Sequence, residues 1–145
     1  MKPTHLTPFF FMNAAIRAQP LRTVPHVDIE RCTGKWYEIA SYPQGFQKGC
    51  HGTTATYTQS DKGYLAVENR CNRDRMGGKT SHIKGKTLVE EGTGNAQLKV
   101  QSLWPFSGKY YIIDLASDYS YAVAGHPNRK YLWILLHSPR LARGV

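Results

Sequence analysis

The residues of this chain with reactive or metal-binding potential are three cysteines and six histidines, and their spacing limits what they can do. Cys50 and Cys71 flank a stretch that reads as a two-stranded hairpin, so folding it brings the two sulfurs near each other. Three chemistries suit that placement: a disulfide, two unbridged thiols, or a zinc site completed by His51 and His82. Zinc sites use ligand pairs at short fixed intervals, and that pairing is missing here. A disulfide would contribute roughly 3 kcal/mol by restricting the unfolded chain, and implies an oxidising compartment. Cys32 is then the odd thiol, just ahead of the first strand. No Ser-His-Asp order, paired inward carboxylates or glycine-rich phosphate loop is found. Glu38 can face inward, but one buried carboxylate belongs more often to a structural network. The expectation is a protein without a catalytic set, a metal or a cofactor.

The elements that must position these residues are strands. Gly34-Lys35-Trp36-Tyr37-Glu38-Ile39 opens with a glycine, is anchored by a tryptophan, and alternates Trp36 and Glu38 against Tyr37 and Ile39. Thr53–Thr58 is rich in β-branched residues, ends at the turn Ser60-Asp61-Lys62-Gly63, and is followed by Tyr64–Arg70. Further strands read as His82–Val89, Ala96–Leu103, Lys109–Ala116, Tyr119–Ala124 and Tyr131–His137, with polar, glycine- or proline-bearing breaks between them. This sequence of short antiparallel strands predicts an all-β, eight-stranded up-and-down barrel, because closure removes exposed edges and leaves room for one small ligand. A sandwich is the other arrangement such spacing allows.

The net charge of +9 first suggests nucleic acid. In an up-and-down barrel, however, alternate loops share one end. The loops at the predicted open end carry Lys48, Arg73, Arg75, Lys79, Lys109, Arg129 and Lys130 against Asp74, whereas the opposite loops carry Asp61, Glu90, Glu91 and Asp118 against Lys62. A basic rim above an apolar cup suits an amphiphile with an anionic head, such as a fatty acid or lysophospholipid. Nucleic acid is not expected, since the cations ring a mouth and no RNA-binding aromatic motif accompanies them. An anionic membrane surface is the alternative partner for the same charges.

Gly34–Ile39 resembles the first signature of the lipocalins. Ser117-Asp118-Tyr119-Ser120-Tyr121-Ala122-Val123 resembles their second. Tyr131-Leu132-Trp133-Ile134-Leu135 is similar to the last barrel strand of the bacterial lipocalin and apolipoprotein D branch, and Trp104-Pro105-Phe106 sits where that branch carries a Gly-Pro-Phe-like loop. The resemblance covers residues 25–139 and implies a carrier of small hydrophobic ligands, not an enzyme, although some animal members are isomerases that use a thiol. It implies a cavity lined by Tyr110 and Ile112 from strand six and Tyr121 and Val123 from strand seven. Trp133 and Leu135 join them by alternation, and strand two supplies Ala55 and Tyr57 or their neighbours Thr54 and Thr56. A one-residue bulge would exchange such sets. Some bacterial relatives bridge the positions of Cys50 and Cys71.

Two departures from the family pattern stand out. The arginine that packs over the first-strand tryptophan is replaced by His137, which alternation places beside Trp36 on the barrel floor with Gly34 at the strand start. Members also continue into a helix that packs on the barrel wall, whereas this chain stops a few residues after strand eight. Two readings of that end stand side by side: a barrel without the helix that covers its bare wall as a homodimer, or a truncated or frameshifted reading frame. Residues 25–140 are expected to form the barrel domain and 141–145 a tail. Residues 1–24 are flexible or signal-like, with Lys2, Phe9–Met12 and Ala14–Ile16 but no clean cleavage site. No cysteine there matches the lipid-anchoring motif of bacterial relatives. The expected location is the cell envelope, periplasmic or secreted.

Overall fold

The computed structural model describes residues 19–102 and 107–138. Residues 1–18 of the signal-like stretch, the Trp104-Pro105-Phe106 loop and the tail after residue 138 lie outside the described residues. The strands are β1 (Gly34–Ser41), β2 (Cys50–Gln59), β3 (Leu65–Arg73), β4 (Thr80–Val89), β5 (Gln97–Ser102), β6 (Ser107–Leu115), β7 (Tyr121–Gly125) and β8 (Leu132–Leu136). Each pairs antiparallel with the next, and β8 returns to β1, so all eight form one closed barrel. Closure leaves no strand edge unpaired, as the sequence of short strands predicted. Among the described residues no helix is long and apolar enough to cross a membrane.

The register explains which residues face inward. Alternation sends Leu65, Val67, Asn69 and Cys71 of β3 to the interior, and the side chains of Ala66, Glu68 and Arg70 to the outside, where Arg70 pairs with Glu68. Irregularities interrupt the ladders between Glu38 and Ala40, His51 and Thr54, and Ile112 and Asp114. Bulges of this kind let a sheet curve into a barrel.

One end is sealed. A 3-10 turn, Glu30–Cys32, crosses beneath β1, and the Cys32 carbonyl accepts the Trp36 indole N–H at 2.9 Å. The chain entering this turn is bound to the barrel by its backbone. Val27 N–H donates to the Gly94 carbonyl at 2.8 Å, Val24 N–H to the Ile112 carbonyl at 2.9 Å, and Asp28 N–H to the Tyr119 hydroxyl at 2.8 Å. Gly94 has a φ of +63°, and a Cβ there would overlap the Pro25 carbonyl, so this close approach requires glycine. Arg31 places its guanidinium 4.0 Å from the centre of the Tyr119 ring. Val27, Ala96, Leu98, Ile112, Tyr119 and Ala124 form one buried cluster at this end, and Trp36, Ala122 and Leu135 form a second.

Candidate ligand cavity

Above the sealed floor the barrel opens into a cavity of about 310 Å³, at the lower end of the roughly 300–1,000 Å³ common for small-molecule sites. Its wall carries a descending series of rings. At the mouth His126 meets the edge of Tyr131, with centroids 5.9 Å apart. Tyr131 stacks on Trp133 at 6.1 Å, and Trp133 lies 5.3 Å from Tyr110. Tyr110 in turn hydrogen-bonds Tyr57. Burial holds both phenols in the neutral form, with Tyr57 pushed up to about 12 and Tyr110 raised well above its ordinary value. Ala55, Val67, Ile83, Val100 and Leu135 fill the spaces between the rings. The middle of the cup is therefore apolar and uncharged.

Polar groups collect nearer the opening. Glu38 projects inward and accepts a hydrogen bond from the Gln47 amide at 3.0 Å. Arg73 also lines the cavity. Its guanidinium donates to the Lys48 carbonyl at 3.3 Å and to the Ser81 hydroxyl at 3.4 Å, both uncharged. The Cys50–Cys71 disulfide ties β2 to β3 beside it, and Asp74 N–H donates to the Gly49 carbonyl at 2.7 Å. These contacts latch the β1–β2 and β3–β4 loops together at the rim. The disulfide takes up both sulfurs, so neither the free-thiol pair nor the zinc arrangement with His51 and His82 forms.

On the floor, His137 stacks on Trp36 with ring centroids 3.6 Å apart, as the alternation of β8 predicted. Its buried Nε2 has no hydrogen-bond partner among the described residues, and burial lowers its pKa. The floor histidine is thus a neutral ring over the indole. Cys32 lines a small space of about 30 Å³ under the main cavity. Burial pushes its thiol up to about 11, helped by nearby Asp28, which disfavours the thiolate that nucleophilic chemistry needs.

Of the expected lining residues, Trp133, Tyr110, Leu135, Tyr57 and Ala55 meet in the cavity, and Ile112 lines the space beneath it. Strand seven is the correction. Tyr121 points outward, is exposed, and donates its hydroxyl to Asp114 at 3.3 Å, and Val123 shares that outer face. Ala122 and Ala124 face inward instead, because the rings of Trp36, Tyr110 and Trp133 fill the interior and leave room there for methyl groups only. Of the rim cations, Lys48, Arg75, Lys79, Arg129 and Lys130 are exposed in the mouth loops, while Arg73, at the end of β3, and Lys109 border the cavity. Lys109 lies within β6, not in a loop. Val67, Asn69, Ile83 and Val100 are lining residues that the sequence reading did not name; alternation with the buried Cys71 gives the β3 pair, and the strand register gives the others. His126 was not named either, since its turn, Gly125-His126-Pro127-Asn128, gives no sign of direction. Its ring is set by the Asn128 N–H, which donates to Nδ1 at 3.0 Å.

A closed up-and-down barrel with a sealed floor, an aromatic cup and a single open mouth defines a binding protein for small hydrophobic molecules. Residues 27–144 match the lipocalin-like domain, and the chain belongs to the lipocalin family, whose members bind such ligands. It is 32% identical over 128 residues to the outer membrane lipoprotein Blc of Vibrio cholerae, covering 88% of this chain and 74% of the relative. It is 38% identical over 123 residues to Blc of Escherichia coli K12, covering 84% and 68%, and 31% identical over 122 residues to apolipoprotein D of Bos taurus, covering 79% and 62%. The branch expected from the last strand is thus the one in which these relatives fall. Insecticyanin of the tobacco hornworm Manduca sexta shares the fold at a TM-score of 0.69 and 19% identity, over 87% of this chain and 71% of that one.

Proposed function

We propose that this lipocalin binds and carries an amphiphile with a long acyl chain and an anionic head, a fatty acid or a lysophospholipid. The observation that carries the reading is Arg73. It lies at the mouth of a neutral aromatic cup, and its guanidinium has only uncharged partners among the described residues. A carboxylate or phosphate would pair with it while the tail lies along Trp133, Tyr110 and Leu135. Each methylene buried contributes about 0.8 kcal/mol, so the tail supplies most of the affinity and the head sets the orientation. Glu38, occupied by Gln47, marks the side of the mouth from which an anion would turn away. An envelope location is supported by the disulfide, which persists in oxidising compartments, and by relatives named as outer membrane lipoproteins.

Displacement of a fluorescent fatty acid by unlabelled lipids tests this. Saturable micromolar binding is expected, weakened on the order of tenfold by Trp133→Ala through lost apolar contact and little changed by salt. Absence of binding by protein that is folded by circular dichroism would sink the carrier reading.

A further inference from the structure

The outward side chains of β3 to β6 form a surface that the carrier reading does not use. Strand register sets Arg70 opposite His82, Glu68 opposite Lys84 and Ala66 opposite Lys86. Across the next ladders Lys86 faces Gln101, Leu88 faces Lys99, and Lys99 faces Lys109. Lys84, Lys86, Lys99 and Lys109 are all exposed. Like charges directly opposite each other on one sheet face are destabilising, and a sheet wall ordinarily interleaves carboxylates to avoid this. Here, among the described residues, Glu68 is the acid set between these cations, where it is bonded to Arg70 at 2.9 Å, and Asp114, further along the outer face of β6, is taken up by the Tyr121 hydroxyl. Lys86 lies over the Tyr64 ring at 4.9 Å. The same hairpin continues into the β3–β4 loop with Arg75 and Lys79, where Asp74 is the single acid. Among the described residues two apolar side chains stand exposed near the cations: Met76 at the loop tip, 69% exposed, and Leu88, 36% exposed.

We propose that this β3–β6 wall, led by the Met76 loop, docks the protein on an anionic lipid bilayer. Cations spread over a wall several strands wide match the diffuse negative potential of anionic headgroups, and an exposed methionine among them can enter the headgroup layer. Single-stranded nucleic acid uses aromatic stacking platforms in a groove. Among the described residues, the outward aromatics of this wall are Tyr64, covered by Lys86, and Tyr111, which is buried. Because the leading loop belongs to the mouth, docking sets the cavity opening beside the bilayer. The wall itself is independent of which ligand the cavity holds.

Co-sedimentation of the full chain with vesicles tests this, using phosphatidylcholine with phosphatidylglycerol against phosphatidylcholine alone. Binding only to the anionic vesicles, lost as salt is raised, is the expected result. Lys84→Glu, Lys86→Glu and Lys99→Glu point away from the cavity. Removing a lysine at a charged surface weakens binding about fivefold, so the triple variant should lose roughly a hundredfold or more. Arg129→Glu with Lys130→Glu, across the mouth, should change binding only a few-fold. Met76→Ser should weaken vesicle binding and leave binding to a single-stranded DNA oligonucleotide unchanged. Vesicle binding that ignores phosphatidylglycerol, or that survives in a folded triple variant, overturns the proposal. So does DNA bound as tightly as the vesicles and lost in the same variants. Fatty-acid displacement should be unchanged in the triple variant, so failure of docking and failure of the carrier reading are separately visible.

Discussion

At the closed end of the barrel, Trp36, Val27 and Leu98 are almost wholly buried, and the entering backbone is hydrogen-bonded to β6 and to the turn before β5. At the open end the strands finish in exposed lysines and arginines, held by one disulfide and a few contacts between loops. The same eight strands run through both ends, so the contrast comes from what their side chains and loops supply. Apolar packing is concentrated where nothing needs to enter. Charge and polar groups are concentrated where a ligand must pass. The two ends should therefore respond differently to damage: substitutions at the floor cost folding, and substitutions at the mouth cost binding.

The sharpest way to break this comparison is Trp36→Ala. Removing the floor ring should destabilise the protein by about 3–5 kcal/mol, read from urea unfolding, whereas Lys79→Ala at the mouth should stay within about 0.5 kcal/mol. Comparable losses from both would erase the distinction. Reduction of the Cys50–Cys71 bridge, which spans a sequence separation of 21, should cost about 3 kcal/mol in global stability. Hydrogen exchange should then quicken at the mouth ends of β2 and β3 before the Val27 amide is affected. A uniform increase would show that the two ends open together.

The smallest effect is expected from His137. Burial lowers its pKa in the folded protein, below an unfolded value of about 6.5. The unfolded chain therefore takes up the proton first. The contribution of the neutral ring is fully present above that value, and is lost as pH falls through it toward the lower folded pKa. Urea midpoints should drop more between about pH 7.5 and about pH 5.5 in the wild type than in His137→Phe, which keeps the stacked ring but cannot ionise. Equal pH dependence in both proteins would remove His137 as the cause.

Much of this arrangement was legible in the sequence, and its limits have physical reasons. Trp36, Trp133 and the turn signals carried the strand order, because aromatic and β-branched runs between Gly, Pro and Asp breaks leave little freedom in a closed barrel. Alternation along β3 carries the signal for its inward set, Val67, Asn69 and Cys71, but the lining expected from the sequence drew on strands two, six, seven and eight only. In strand seven size misled: Tyr121 looks like a core residue, yet the ring-filled interior admits only Ala122 and Ala124. The basic wall was equally hidden. Lys99 and Lys109 stand ten apart in the chain, and only the β5–β6 register sets them face to face. The expected sorting of charge by loops put Arg73 and Lys109 in loops, whereas they border the cavity from β3 and β6.

The entering segment has a practical consequence for handling the molecule. From the floor it runs back along the outer wall, past Val24 on Ile112 and Leu21 beside Gly125, until the Gln19 carbonyl accepts the Arg129 guanidinium at 2.7 Å. Arg129 belongs to a mouth loop, so a surface linkage made at Gln19 itself sits beside the opening rather than beneath the floor. Capture on a sensor chip by that route would turn the cup toward the chip and slow ligand entry. Free labelled protein in solution is the better geometry for measuring affinity.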